Sequence, residues 1–123
     1  MLHAHLVFVT KYRRPVFTDA MLTYCEHTMR AACADLDAEL VEFNGETDHV
    51  HLLVTYPPTL AISTLVQRLK RLTAYAVRRK YTGACVRARM RGHLWPPSYL
   101  AVSCGGASLS IIKQSIEGPA RPL

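Results

Sequence analysis

The hydrophobic period of this 123-residue chain switches repeatedly between two and about 3.6, and that alternation restricts the fold more than any single residue does. Leu2 to Lys11 alternates as a strand does, with His3, His5, Val7 and Val9 on one side and Ala4, Leu6, Phe8 and Thr10 on the other. Pro15, at the end of Lys-Tyr-Arg-Arg-Pro, stops it. Thr18 or Asp19 can cap a helix in which Leu22, Cys25, Met29, Ala32, Cys33 and Leu36 recur at three- and four-residue steps to about Asp37. Glu39 to Phe43 reads as a second strand. Asn44-Gly45 then reads as a hairpin turn, since both central residues of the favoured turn need positive φ. A third strand follows from about Asp48 to Thr55, with Val50, Leu52 and Val54 on one face. Beyond Pro57-Pro58, a long helix from about Ala61 to Lys80 carries the stripe Ile62, Leu65, Val66, Leu69, Leu72, Thr73, Ala76 and Val77.

Gly83 to Pro97 reads as a basic, irregular connection and Tyr99 to Ser103 as a short fourth strand. Gly105-Gly106 turns the chain, Ser108 can cap a last helix, and Gly118-Pro119 stops it. The order β-α-β-β-α-β-α predicts an α+β fold: a ferredoxin-like antiparallel sheet with helices on one face, plus a C-terminal helix. At 13.8 kDa and 50% hydrophobic, residues 1–123 fit one domain with one core. A core that small gains from a partner subunit. The longest uncharged run, Gly92 to Ile112, holds two prolines and two adjacent glycines, so no stretch resembles a membrane span. The first residues lack a leading basic region and read as a strand, not as a signal peptide. Cys25, Cys33, Cys85 and Cys104 have no C-x-x-C spacing, which argues against a zinc knuckle and for reduced thiols in a cytoplasmic protein.

Charge is unevenly placed. Residues 1–60 carry four Lys/Arg against eight Asp/Glu, and residues 61–123 carry eleven against Glu117 alone. The halves are −4 and +10, giving the net +6 and an isoelectric point near 9.4. An excess so concentrated is the electrostatic footprint of a nucleic-acid binder. On the long helix, Arg68, Arg71, Tyr75, Arg78 and Arg79 lie opposite the apolar stripe. Four guanidinium groups around one aromatic suit a phosphate backbone and a stacked base; the plain alternative is a solvated arginine face. Lys11, Arg13 and Arg14 after the first strand, and Arg87, Arg89 and Arg91 in the basic connection, extend that surface.

Asp48-His49-Val50-His51-Leu52-Leu53-Val54 is the sharpest chemical feature. Strand period puts His49 and His51 on the same face, about 6.5–7 Å apart at Cα, where two imidazoles can hold one metal ion. Two histidines do not complete a site, so a third ligand and a nucleophile must come from elsewhere. Glu46 and Asp48 lie nearby in sequence, although strand parity points Asp48 to the other face. His3 and His5 neighbour the pair if the first and third strands are adjacent, as a ferredoxin-like order requires. His27 and His93 read as surface or capping histidines. The alternative is a pair of exposed or hydrogen-bonded histidines on a half-wet sheet.

Four motifs stand in a recognisable order: KYRRPVF after the first strand, DHVHLLV on the third, LVQRLKRLTAYAVRR on the helix, and LWPPSYL before the last strand. Over about Leu2 to Glu117 the chain resembles the small TnpA-type insertion-sequence transposases of the single-tyrosine HUH class (His, hydrophobic, His). That resemblance implies a homodimer acting on single-stranded DNA that carries hairpins. It implies Mg²⁺ or Mn²⁺ on His49 and His51, and a tyrosine of the last helix that attacks to leave a 5′-phosphotyrosine and a free 3′-OH. The family's last helix typically reads K-x-Y-I-E-x-Q, whereas this chain has Lys113-Gln114-Ser115-Ile116-Glu117-Gly118-Pro119. Ser115 stands where the tyrosine is expected, and Pro119 where a glutamine often supplies a third metal ligand. The resemblance with these departures implies a transposase by descent whose strand cleavage is lost or strongly impaired. Two readings compete with an active transposase: a nucleic-acid-binding module without chemistry, and an unrelated H-x-H hydrolase of small phosphate esters.

Overall fold

The structure, a computed structural model, describes residues 1–87, 94–96 and 100–103. Four strands, β1 (Leu2–Val9), β2 (Glu39–Gly45), β3 (His49–Tyr56) and β4 (Leu100–Ser103), form one sheet in the order β2-β3-β1-β4, antiparallel throughout. Helices α1 (Asp19–Asp35) and α2 (Ile62–Lys80) pack against it. The split βαβ order makes β1 and β3 central neighbours, as the ferredoxin-like expectation requires. The Gly105-Gly106 turn and the expected C-terminal helix lie outside the described residues.

The alternation of β1 is realised as read: Ala4, Leu6, Phe8 and Thr10 are buried and the residues between them are partly exposed. They meet Leu40, Val50, Leu52 and Val54 of the neighbouring strands, Met21, Cys25, Met29 and Cys33 of α1, and Leu65, Val66, Leu69 and Val77 of α2 in one core. Thr18 caps α1, its side chain accepting the Met21 N–H at 3.3 Å. Burial pushes the Cys25 thiol up to about 12, with the Cys85 thiol adding to it, and lifts Cys33 to about 11, so both behave as packing groups.

Three expectations are corrected. First, Asn44-Gly45 is not the turn. Both residues belong to β2, opposite His51 and Val50, and neither has positive φ. The chain reverses through Glu46–Asp48 instead, with the Glu46 N–H donating to the His49 carbonyl at 2.9 Å. Tertiary contacts outweigh the local turn preference. The Thr47 carbonyl accepts from Val16 and Phe17, and the Asp48 carbonyl from Thr10, at 2.8–2.9 Å. Gly45 sits close to α1: a Cβ there would lie 2.6 Å from Leu22 Cδ2, so that side chain would have to shift to admit one. Second, β1 stops at Val9, and Lys11–Arg13 forms a single 3-10 turn with Tyr12 and Arg13 at positive φ. Third, the connection after α2 is not irregular from the start, because Thr82–Arg87 forms a short helix, α3.

Leu94 and Trp95 tie the Leu-Trp-Pro-Pro motif to the core. The Leu94 carbonyl accepts from Lys11 N–H at 2.9 Å, and the Trp95 ring sits 5.8 Å from Phe8 and 5.6 Å from Phe17. The buried Thr73 hydroxyl donates to the Leu69 carbonyl at 2.7 Å and accepts from Trp95 Nε1 at 3.0 Å. Thr73→Val keeps the shape and strands the indole N–H. It is expected to cost about 1–3 kcal/mol, read as a lower urea midpoint with an unchanged m-value.

Candidate metal centre and nucleic-acid interface

The register builds the histidine site. Val9 faces His49 and Val7 faces His51 across the β1–β3 ladder, which puts His5 diagonally beside His51 on the sheet face away from α1 and α2. Three imidazoles gather there. The His49 and His51 rings lie 5.0 Å apart between centroids at an interplanar angle of 73°, and the His5 and His51 rings 5.6 Å apart. His5 Nε2 and His51 Nδ1 are 3.4 Å apart. His3 is not part of the group, since its Nδ1 pairs with Thr55 Oγ1 at 3.2 Å. His27 is exposed on α1, and His93 lies outside the described residues.

On the histidine face of β3 burial is uneven: His49 is only 5% exposed and Leu53 is fully buried, whereas His51 and Thr55 are partly exposed. Burial of a polar ring requires a partner, and Asp48 supplies it: its Oδ1 stands 2.7 Å from His49 Nδ1. The Asp48 Oδ2 receives Arg13 Nε at 3.3 Å. Burial pushes the Asp48 carboxyl up, but the hydrogen bond to His49 and the charge and hydrogen bond of Arg13 together hold it below its ordinary value. Burial lowers His5 from the usual histidine value. Strand parity turns Asp48 away from the pair, yet at the strand end the carboxylate bends back to His49. An Asp directly before a histidine at a strand's first residue is the signal that could have located it. Glu46 contributes its backbone N–H to the turn.

These donors suit a divalent ion. With a metal–nitrogen distance of about 2.1 Å, two imidazoles on adjacent coordination positions place their ring centres roughly 5 Å apart, which the observed 5.0 Å matches. A hard ion that keeps several waters and takes phosphate oxygens needs few protein ligands. Among the described residues no group of three or more His, Cys, Asp or Glu is arranged to hold a metal ion.

The basic residues fall into two groups. Arg71, Tyr75 and Arg79 are exposed on α2, with Arg68 and Arg78 half-buried beside them, on the flank away from the sheet. Arg79 Nη1 donates to the Tyr75 hydroxyl at 2.9 Å, and Arg78 Nε to the Ala74 carbonyl at 3.1 Å. Lys11, Arg13 and Arg14 lie instead at the histidine edge, because β1 ends opposite His49. There Lys11 Nζ and the Arg14 guanidinium approach the exposed Tyr12 ring at 5.3 and 5.7 Å. Arg87 is in α3. Arg89, Arg91, Tyr99, Ser115 and Pro119 lie outside the described residues. Among the described residues no helix is long and apolar enough to cross a membrane.

A ferredoxin-like sheet therefore carries paired histidines on a central strand, with basic residues at its edge and on α2. Comparison with known proteins gives the family. The family described as "Transposase IS200 like" matches residues 1–119, and the chain belongs to that family. It is 29% identical over 119 residues to the ISDra2 transposase TnpA of Deinococcus radiodurans, covering 94% of this chain and 82% of that protein. It is 30% identical over 66 residues to the transposase for insertion sequence element IS200 of Salmonella typhimurium, covering 54% of this chain and 43% of that one. Among solved structures, a candidate transposase from Deinococcus radiodurans R1 superposes with a TM-score of 0.77 at 28% identity, over 98% of this chain and 92% of that chain. A REP-associated tyrosine transposase bound to a REP hairpin superposes with a TM-score of 0.65 at 14% identity, over 94% and 62%, and that likeness is one of fold.

Proposed function

We propose that this chain is a single-domain, cytoplasmic transposase of the single-tyrosine HUH type that binds hairpin-bearing single-stranded DNA as a homodimer and is impaired in strand cleavage. The observation that carries the reading is the His49–His51 pair, with rings 5.0 Å apart and Asp48 on the outer nitrogen of His49, in a member of the IS200-like family. Mg²⁺ or Mn²⁺ held by His49 and His51 would supply electrophilic polarisation of the scissile phosphate. The chain's own residues bind and orient the strand. Lys11, Arg13 and Arg14 sit beside the pair and suit the phosphates next to the cleavage point, while Arg68, Arg71, Arg78 and Arg79 with Tyr75 on α2 suit the hairpin. The hairpin bound by the structurally similar REP-associated transposase supports that substrate class.

Impairment follows from Ser115 and Pro119, which stand where the family pattern has its nucleophile and a metal-binding amide. Those two residues also favour the second reading, a non-catalytic nucleic-acid-binding module descended from such a transposase. One experiment tests both. Labelled hairpin-bearing single strands are incubated with the chain and Mn²⁺, and binding and nicking are followed together. Tight binding to the hairpin strand over an unstructured strand of equal length is expected, with little or no nicking. Equal affinity for both strands would overturn the hairpin reading, and efficient nicking would overturn the impairment.

A further inference from the structure

We propose that His5 is a positioning residue that accepts a hydrogen bond from His51 Nδ1 and so turns His51 Nε2 toward the metal. The inference rests on His49 and His51 being the metal pair. It concerns a residue on another strand, 46 positions away in sequence from its partner.

The geometry has two halves. Asp48 Oδ1, an acceptor only, lies 2.7 Å from His49 Nδ1, so that nitrogen carries the proton and the Nε2 lone pair of His49 is left for a ligand. His51 meets a ring nitrogen instead, His5 Nε2, at 3.4 Å, the long end of hydrogen-bond range. Two neutral imidazoles can share that contact in either sense. If His51 Nδ1 accepts, its proton sits on Nε2 and that nitrogen cannot ligate. If His51 Nδ1 donates, both histidines of the pair carry a proton on Nδ1 and present Nε2. Only the second arrangement gives two equivalent ligands, and it makes His5 the counterpart of Asp48. The ladder supplies the rigidity. His5 lies opposite Leu53 and diagonal to His51 on the neighbouring central strand, so the ladder fixes the distance between the two residues' backbones. Direct ligation by His5 is the competing use of the same contact. It would take His51 through Nδ1 and break the symmetry with His49.

The test compares His5→Gln, whose carbonyl oxygen can replace Nε2 as acceptor, with His5→Leu, which cannot accept. In the metal-free protein, long-range proton–nitrogen NMR correlations report the His51 tautomer. The Nδ1–H form is expected in the parent and in His5→Gln, and the Nε2–H form in His5→Leu. Manganese titration is expected to weaken by about 10- to 100-fold in His5→Leu and to stay within a few-fold of the parent in His5→Gln. Thermal midpoints establish that the variants are folded. A His51 that keeps its Nδ1–H tautomer in His5→Leu overturns the proposal. Equal loss of manganese in both variants also overturns it and makes His5 a ligand. If the parent itself fails to bind manganese, the metal reading falls, and the tautomer measurement still decides the role of His5.

Discussion

Incubated with a hairpin-bearing single strand and Mn²⁺, the unmodified chain is expected to leave no DNA-linked protein on a denaturing gel. A covalent intermediate needs an oxygen that can act as a nucleophile and reach a phosphate held at the histidine pair. The phenol of tyrosine ionises near pH 10, whereas the aliphatic hydroxyl of Ser115 ionises far less readily and lacks the length of the ring. The described tyrosines do not replace it readily. Tyr56 is buried, Tyr24 and Tyr81 pack edge-on at 5.9 Å, and Tyr75 on α2 accepts from Arg79. Ser115→Tyr is expected to yield a weak adduct, and Ser115→Tyr with Pro119→Gln a stronger one, because the amide returns a ligand to the metal. Adding His49→Ala to the double variant is expected to abolish the adduct. A DNA-linked band from the unmodified chain would show that another residue supplies the nucleophile. Tyr12, exposed at the histidine edge, and Tyr99 are then the two to mutate.

How far the sequence can be read depends on how local each determinant is. Period-two alternation in β1 and β3 and the stripe of α2 are set by burial of successive side chains, so strands, helix and core face emerge in the right places. His5 beside His51 follows from the same logic, once the strand order makes β1 and β3 neighbours. What fails is local chemistry overruled by distant contacts. Asn44-Gly45 looks like a turn, but the carbonyls of Thr47 and Asp48 are held by the backbone of Thr10, Val16 and Phe17, so the strand runs on to Gly45. The glycine packs under the Leu22 side chain of α1, which a Cβ would push aside. Parity assigns Asp48 to the wrong face, since parity is enforced by the ladder and the ladder begins at His49. The grouping of the basic residues is not legible either. Charge counts locate them along the chain, and only the fold puts the Lys11–Arg14 turn beside His49 and Asp48, apart from the arginines of α2.

That separation leads to the second large effect. Replacing Arg68, Arg71, Arg78 and Arg79 with glutamine is expected to weaken hairpin binding by about a hundredfold or more near physiological salt, because each guanidinium that meets a phosphate releases counterions on binding. The slope of log affinity against log salt should flatten by up to about four, roughly one for each phosphate no longer neutralised. The geometry refines this. Arg79 also holds the Tyr75 hydroxyl at 2.9 Å, so its loss removes a charge and the anchor of an aromatic ring that is 59% exposed and suited to stacking. Replacing the same four with lysine keeps the charge and should restore most of the salt slope but not the full affinity. Lys11→Gln, in the turn beside the histidine pair, should weaken binding of strands with a long single-stranded flank more than of a bare hairpin. If the four glutamines leave affinity and slope unchanged, the hairpin does not use α2. Those arginines are then a solvated face, and the DNA lies wholly on the histidine side.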